Sequence, residues 1–465
     1  MNKQSHTPTS LKNILLVTLL LALLPVSYIQ GQDPLPTRPR VDTQTANYPK
    51  NNDSIVVIGL SQTEFSVGQS WNECLKTELD RFANEVENST FHAGICVWDL
   101  TDDSLLWGYN SHKIMRPAST QKVLTAISAL SILGSQHEIK TTAYYTGSIS
   151  PEGILNGDIY VVGDFDPMFS ITDLRELARK VSSLGIKTIN GKIYGDASMK
   201  CDELYGNGWC WDDVPSKNQP HLCALMLERG MLAPKFSKYS DNASFHPAEY
   251  FVQMLCDELK AQGISIAESG VWASGYGTKE YKYTGTSFYT KTRTIDQVMQ
   301  RMLKDSDNLH AEALFFQLAN SAAGKYCTWK DGAKQIENVL RNAGTSISSV
   351  DVADGSGVSL YNYLTAEAQV SMLRYAYRNN NIYQYFYPAL PIAGVDGTLA
   401  NRMKSGKAYR NVHAKTGTVK GVISLCGYVT ASNGHQLAFS ILTNGVLSSQ
   451  VARNFQDRIC QELAQ

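Results

Sequence analysis

The sequence predicts an α/β (α+β) protein in which one discontinuous domain, with strands from both ends of the chain, is interrupted by an inserted β-rich module. Three observations lead there. Two strand-like runs near the start, HAGICVWDL and LLWGYN, and two near the end, KTGTVKGVISLCGYVT and HQLAFSILTNG, could share one sheet. Between them, residues 137–285 change character to short strands, many aromatics and frequent turn residues. The length of 465 residues also exceeds one ordinary domain.

The chain opens with Lys3 and Lys12, followed by the run ILLVTLLLALLPV at 14–26 and then Ser27 to Gly31. This run of 13 residues, broken by Pro25, is shorter than the roughly 20 that span a membrane. It predicts a secretory signal peptide over 1–31, cut near Gly31, and an exported, periplasmic protein without a stable transmembrane anchor. No cysteine follows the run to accept a lipid. Residues 32–53, polar and proline-bearing, are expected to be a mobile lead-in.

The main domain is expected over 54–136 and 286–465, with the insertion over 137–285. WNECLKTELDRFANEVEN places Cys74, Leu75, Leu79, Phe82 and Val86 on one helical stripe. The two early strands are joined by Thr101-Asp102-Asp103, and a helix starts near Pro117. Within the insertion, GDIYVVGD and GKIYGDAS read as strands, and PAEYFVQMLCDELKAQ as a helix stopped by Gly263. Helical patterns resume in IDQVMQRMLK, NLHAEALFFQLAN and CTWKDGAKQIENVLRNAG. The final strands meet at Asn433-Gly434, and SSQVARNFQDRICQEL closes the chain as a helix.

Lys and Arg number 42 against 43 Asp and Glu, with no basic run, so a nucleic-acid partner is not expected. The nine cysteines include no CxxC pair; Cys201 and Cys210 lie nearest in sequence, and most others sit in apolar patterns that predict buried thiols. The histidines lack HExxH or HxxxH spacing, so no metal and no cofactor is expected.

Chemistry is expected from three short segments. In RPASTQKVLTAISAL, Ser119 and Lys122 share one helical face, with Ser119 in the first turn, where backbone N–H groups lack intrahelical partners and the helix dipole favours developing negative charge. Burial of Lys122 among Val123, Leu124 and Ile127 would lower its pKa and make it a base. An SxxK pattern alone carries little weight, because about two are expected by chance at this composition. Lys415-Thr416-Gly417, in HAKTGTVKG, is scarcer: a fixed cation on a strand, a glycine permitting close approach, and hydroxyls from Thr416 and Thr418 that could hold a carboxylate. The Thr418 N–H could pair with that of Ser119 as an oxyanion donor.

The triplet Ser306-Asp307-Asn308 lies between two helical patterns, so its side chains are rigidly placed. Ser240-Asp241-Asn242 and Ser216-Lys217-Asn218 fall in loops of the insertion and are read as turn residues, as are DGSGVSLYN with Asp354 and Ser356, and Asp396 in GVDGTL. His310 and Glu312 are read as packing or capping residues.

In their order, Ser119-Thr120-Gln121-Lys122, Ser306-Asp307-Asn308 and Lys415-Thr416-Gly417 resemble the three-box signature of penicillin-binding proteins and serine β-lactamases. With GDIYVVGDFDP, GNGWCWDD, DGSGVSLYNYLT and GVDGTL, the chain from about Trp71 onward resembles the class C low-molecular-mass penicillin-binding proteins, D-alanyl-D-alanine carboxypeptidases and endopeptidases with an insertion between the first two boxes. It departs from them at 163–167, where a GGDP-like turn is usual, in a shorter insertion, and at His413, where an arginine is more familiar. The resemblance implies a transpeptidase-like domain with a sheet, flanking helices and a helical subdomain. It implies Ser119 as nucleophile, Lys122 as base and Ser306 as proton relay, with Asn308, Lys415, Thr416, Gly417 and Thr418 binding substrate. Peptidoglycan peptides and β-lactams are the implied ligands; a serine β-lactamase or a non-catalytic peptidoglycan-binding protein are the alternatives.

Overall fold

The computed structural model describes residues 70–213, 216–232, 244, 246–267, 271–274 and 285–465. The expected signal peptide and lead-in lie outside the described residues, as does Ser240-Asp241-Asn242. Helix α1 (Trp71–Glu87) starts at a capping box in which Ser70 and Glu73 satisfy each other's backbone N–H. Its stripe buries Leu75, Leu79, Phe82 and Val86, whereas Cys74 stays at the margin. Strands β1 (His92–Asp99) and β2 (Ser104–Tyr109) form the expected hairpin, and α2 (Gln121–Ile132) follows.

The insertion begins with β3 (Glu138–Tyr145), β4 (Ser148–Ile149), β5 (Ile154–Asn156) and β6 (Ile159–Val162), then α3 (Ile171–Ser183). Next come β7 (Thr188–Ile189), β8 (Ile193–Asp196), α4 (Pro247–Ala261), β9 (Ser265–Ile266), β10 (Val271–Ser274) and β11 (Thr286–Thr294). Its larger sheet has the order β10-β8-β6-β3-β11 and its smaller one β4-β5-β7-β9. Strands β6, β8 and β10 run parallel, joined through α3 and α4, so the module is mixed α/β where turn density pointed to a β-rich one. The signal for α3 was present: Leu174, Leu177, Ala178 and Val181 form a buried helical stripe. The expected boundary at 285/286 also shifts. Strand β11 pairs antiparallel with β3 along its whole length, so residues 286–294 belong to the inserted sheet.

The chain returns through α5 (Ile295–Lys304), α6 (Asn308–Ala323), α7 (Trp329–Asn342), α8 (Ala366–Arg378) and α9 (Asn380–Ala389). It ends with β12 (His413–Val419), β13 (Val422–Thr430), β14 (Gln436–Asn444) and α10 (Ser449–Leu463). KTGTVKGVISLCGYVT is therefore two strands, because Lys420-Gly421, with Gly421 at φ 79, makes a tight turn in its middle. The main sheet has the order β12-β13-β14-β1-β2, antiparallel throughout, with Ile95 opposite Ile441 and Lys415 opposite Cys426. Both ends of the chain thus complete one sheet. Alternation sends Ile95, Phe439 and Ile441 towards α1 and α10, with Leu79 and Phe455. It sends Cys96, Ala438 and Leu442 towards the opposite core, which contains α2 and α8 and continues into the insertion.

Cys96, Cys201, Cys223, Cys256, Cys327, Cys426 and Cys460 are buried thiols. Cys201 and Cys327 meet through the backbone, at a bridge joining the insertion to the segment before α7. Beside them the fully buried Lys200 donates to the carbonyl oxygens of Cys201 (2.5 Å), Glu203 (2.7 Å) and Leu222 (3.4 Å). Its ammonium also lies 5.1 Å from the centre of the Phe316 ring on α6. Replacing it by an apolar side chain of similar length leaves the buried carbonyls of Cys201 and Leu222 without that donor, each costing about 1–3 kcal/mol. Lys200→Met is expected to destabilise the fold by about 2 kcal/mol or more. Calorimetry checks this, and an unchanged unfolding temperature would count against it.

Candidate active site

The helix carrying the first box starts later than its sequence pattern predicts. Pro117 leads into a 3₁₀ turn over Ala118–Thr120, and the α-helix begins only at Gln121. Ala118 adopts φ 50, a left-handed conformation that costs an alanine energy. The loop 354–357 presses on this bend: a methyl placed on Gly357 would lie 1.9 Å from the Ala118 carbonyl oxygen. Thr120 and Ser424 both donate to the Pro117 carbonyl (2.7 and 2.5 Å). Gln369 ties Thr120 to Ser440 on β14 (2.7 Å on each side). The Ser119 turn is thus fastened to the sheet from two directions.

Ser119 is 8% exposed and Lys122 is fully buried. The Lys122 Nζ lies 3.0 Å from the Ser119 Oγ, 2.8 Å from the Asn308 Oδ1 and 2.6 Å from the Ser356 carbonyl oxygen. Those two carbonyl-type oxygens can only accept, whereas a hydroxyl can give or take a proton. An uncharged Lys122 therefore spends its two N–H groups on Asn308 and Ser356, and its lone pair falls towards Ser119. Burial lowers the Lys122 pKa to about 8, opposed by the charges of Asp354, Glu312 and Asp307. A base at this position is thus available near neutral pH.

Lys415 is also fully buried. Its Nζ donates to the Ser306 Oγ at 2.8 Å and to the Thr416 carbonyl at 2.7 Å. Burial holds its pKa well below the usual lysine value, and the charge of Lys122 pushes the same way. Ser306 takes φ 59 in the turn between α5 and α6. Asp307 caps α6 by accepting from the His310 N–H and ring (3.1 and 2.8 Å), satisfying an N–H that has no partner within the helix. Although burial would raise its pKa, the hydrogen bonds and charge of His310 and the Arg229 guanidinium hold Asp307 well below the usual carboxylate range.

Gly417 serves a closer contact than ligand access alone. A methyl there would lie 2.0 Å from the Ser424 Oγ, 2.8 Å from the Pro117 oxygen and 3.0 Å from the Ser119 nitrogen, so the glycine lets β12 lie against the Ser119 turn. Thr416 and Thr398 share a 2.7 Å hydroxyl hydrogen bond, and Thr418 is exposed beyond them. Ser119, Lys122 and Asn308 form one linked group, and Ser306 and Lys415 another, joined through the Ser306-Asp307-Asn308 turn.

Several participants were not legible as such. DGSGVSLYN is structural, as expected, with Asp354 accepting from Gly357, Ser359 and Asn362, but the same loop delivers the Ser356 carbonyl to Lys122. Glu312, read as packing, accepts from the Ser356 N–H at 2.9 Å, and burial raises its pKa strongly. Asp396 forms an ion pair with Lys304 at 2.7 Å, consistent with a structural turn. His413 stacks on Tyr387 at 4.3 Å between ring centres. Gln219 and Arg229 reach the Ser306-Asp307-Asn308 turn from the insertion, and no motif marked either.

The profile of the D-Ala-D-Ala carboxypeptidase 3 (S13) family matches residues 75–243 and 237–465. The chain is 27% identical to a D-alanyl-D-alanine carboxypeptidase of Actinomadura sp. over 462 residues, covering 84% of each chain. It is 26% identical to D-alanyl-D-alanine carboxypeptidase DacB of Haemophilus influenzae over 412 residues, covering 76% of this chain and 85% of that one. Its fold is similar to the crystal structure of penicillin binding protein 4 from Haemophilus influenzae, with a TM-score of 0.74 and 22% identity over 82% of this chain and 99% of that one.

Gly417→Ala is expected to push β12 off the Ser119 turn. Displacements near 1 Å can cost about 100-fold in rate, so labelling of Ser119 by a β-lactam, followed by intact mass, should slow by about that factor. Labelling at the parent rate would contradict the close-approach role of this glycine.

Proposed function

That this chain belongs to the D-Ala-D-Ala carboxypeptidase 3 (S13) family is the premise from which we propose how it works and on what. It is a serine-type D-alanyl-D-alanine carboxypeptidase; the substrate proposed is the D-alanyl-D-alanine end of a peptidoglycan stem peptide, or a D-centred cross-link. The proposed residue roles rest above all on Lys122, whose lone pair is directed at Ser119 by two obligate acceptors.

Ser119 attacks the carbonyl carbon of the scissile amide, and its proton passes to Lys122. The oxyanion accepts from the backbone N–H groups of Ser119 and Thr418. As the C–N bond breaks, the Ser306 hydroxyl gives a proton to the leaving amine and is resupplied from Lys415, which lies 2.8 Å away. Water then cleaves the ester and restores Ser119. Asn308 holds the substrate backbone, while Lys415, Thr416 and Thr418 receive the terminal carboxylate, with Gly417 keeping the strand close. A β-lactam follows the first half of this path, and its ring-opened acyl group stays on Ser119.

Export to the periplasm is part of the same proposal. The apolar leader supports it, and the homologues DacB and the Actinomadura enzyme bear names of the same activity. Among the described residues, no helix is long and apolar enough to cross a membrane.

Incubation with penicillin G should add one antibiotic mass to the intact protein, mapping to Ser119 and absent in Ser119→Ala. Folded protein that forms no adduct would refute the assignment, and rapid release of hydrolysed antibiotic would favour a β-lactamase. The acylation rate should follow the uncharged fraction of Lys122. It rises about tenfold per pH unit on the acid side and levels above the Lys122 pKa of about 8; a rate flat from pH 5.5 to 9.5 would exclude Lys122 as the base.

A further inference from the structure

Strand β13 reaches the Ser119 turn through a gap in its neighbour. Ser424 stands directly opposite Gly417 in the β12–β13 register, and side chains of such a pair share one face of the sheet. Gly417 has no side chain to fill that space, and the Ser424 hydroxyl takes it: a methyl on Gly417 would lie 2.0 Å from the Ser424 Oγ. From there Ser424 donates to the Pro117 carbonyl at 2.5 Å, while Thr120 donates to the same oxygen at 2.7 Å. A carbonyl can only accept, so both hydroxyl protons are committed to that oxygen. The Thr120 Oγ1 in turn accepts from the Gln369 Nε2, and the Gln369 Oε1 from the Ser440 hydroxyl, each at 2.7 Å. All four side chains are fully buried.

We infer that Ser424 is a positioning residue for the reaction, its hydroxyl fixing the Pro117–Ala118 peptide and thereby the direction in which the Ser119 N–H and hydroxyl face the cleft. The inference rests on the proposed role of Ser119 as nucleophile and oxyanion donor. Two peptide planes meet at Ala118. The first carries the Pro117 oxygen and is held by Ser424 and Thr120. The second carries the Ser119 N–H and the Ala118 oxygen, against which Gly357 packs. Between them lies the left-handed bend at φ 50, a conformation that an alanine keeps only where its surroundings over-determine it. Releasing the first plane lets Ala118 return to negative φ, and the Ser119 N–H turns with the second.

Satisfying polar groups does not by itself require a serine here. The Pro117 oxygen already has Thr120, and within the buried run Val422 to Gly427 no other side chain carries a hydroxyl. An alanine would occupy the same place with nothing to desolvate. It would lose a fixed point of a particular kind: Thr120 belongs to the turn it braces, whereas Ser424 ties the Pro117 oxygen directly to β13.

The test follows penicillin G acylation over a range of antibiotic concentrations, which separates the limiting rate of acylation from the affinity of the first complex, in Ser424→Ala, Thr120→Val and the double variant. Ser424→Ala is expected to lower the limiting rate about 10- to 100-fold, as displacements near 1 Å do, with the affinity within about threefold of the parent's. Its pH midpoint should stay at the parent's, because no contact of Lys122 is touched, and its unfolding temperature should fall by only a few degrees for one lost hydrogen bond. The double variant leaves the Pro117 oxygen without either hydroxyl and should lose more than the product of the two single losses. The inference falls if Ser424→Ala keeps the parent's limiting rate, if its loss lies in affinity, if its pH midpoint moves, or if the two single losses simply multiply. A Ser424→Ala chain that does not fold would assign the residue to stability and overturn the inference as well. A parent protein that forms no adduct would instead refute the reading of Ser119 on which this one rests.

Discussion

Two lysine amines removed from water, one beside Ser119 and one beside Ser306, are the constraint on which the rest of the site depends. Lys122 and Lys415 are both fully buried, and the charge of Lys122 bears on Lys415. Burying a single ammonium without partners costs several kcal/mol, and a second positive charge nearby adds to it. The structure meets this by bringing oxygen acceptors from separated segments: the Asn308 amide, the Ser356 carbonyl, the Ser306 hydroxyl and the Thr416 carbonyl. Asp354, Glu312 and Asp307 supply the compensating field at Lys122. What remains is a lowered pKa, which a stability argument counts as loss and a proton-transfer argument as gain.

Fixing those acceptors explains much of the surrounding architecture. A carbonyl aimed at an amine is useful only if its loop cannot relax, and the Ser356 loop is fastened from within by Asp354. That carboxylate accepts from four backbone or side-chain donors of its own loop and from the Trp209 indole of the insertion (2.9 Å). Glu312 anchors the same peptide from α6 through the Ser356 N–H. The Ser356 backbone is thereby held on both sides of its Cα, its N–H by a carboxylate and its carbonyl oxygen by Lys122. Close backbone approach does the rest, at Gly357 against Ala118 and at Gly417 against Ser119, where any side chain would separate the elements being joined.

The sequence carried the residues of the three motifs more clearly than the groups that contact them. Ser119, Lys122, Ser306, Asn308 and Lys415 stand in short motifs whose spacing has local meaning, a helical face or a helix-to-helix turn, and the structure brings them within hydrogen-bonding distance in the expected groupings. The main sheet was legible for the same reason, since alternation in HAGICVWDL and HQLAFSILTNG is a local signal. The Lys420-Gly421 turn was missed because apolar residues continue on both sides of it. The end of the insertion was misplaced because strand pairing between β3 and β11 joins residues far apart in the chain, and no local pattern records a partner. Ser356 contributes a backbone oxygen, to which its side-chain identity is no guide.

Gln219, Arg229 and Trp209 share a feature that accounts for their invisibility: each belongs to the insertion and meets a residue of the main domain, respectively Asn308, Asp307 and Asp354. Three polar contacts of this kind would be a poor way to attach one domain to another, since each requires desolvating both partners for a modest net gain. The continuous apolar core through α2, α6 and the inserted sheet is the stronger bond. The polar contacts instead converge on two of the segments around Lys122, the Ser306-Asp307-Asn308 turn and the loop 354–357. Their geometry is directional where apolar packing is not, so they can set an amide plane or a carboxylate to within a few tenths of an ångström while the core supplies the stability. On this division of labour the insertion is a wall of the active site as well as an appended module, and the cleft formed by the three motifs is completed by residues that belong to none of them.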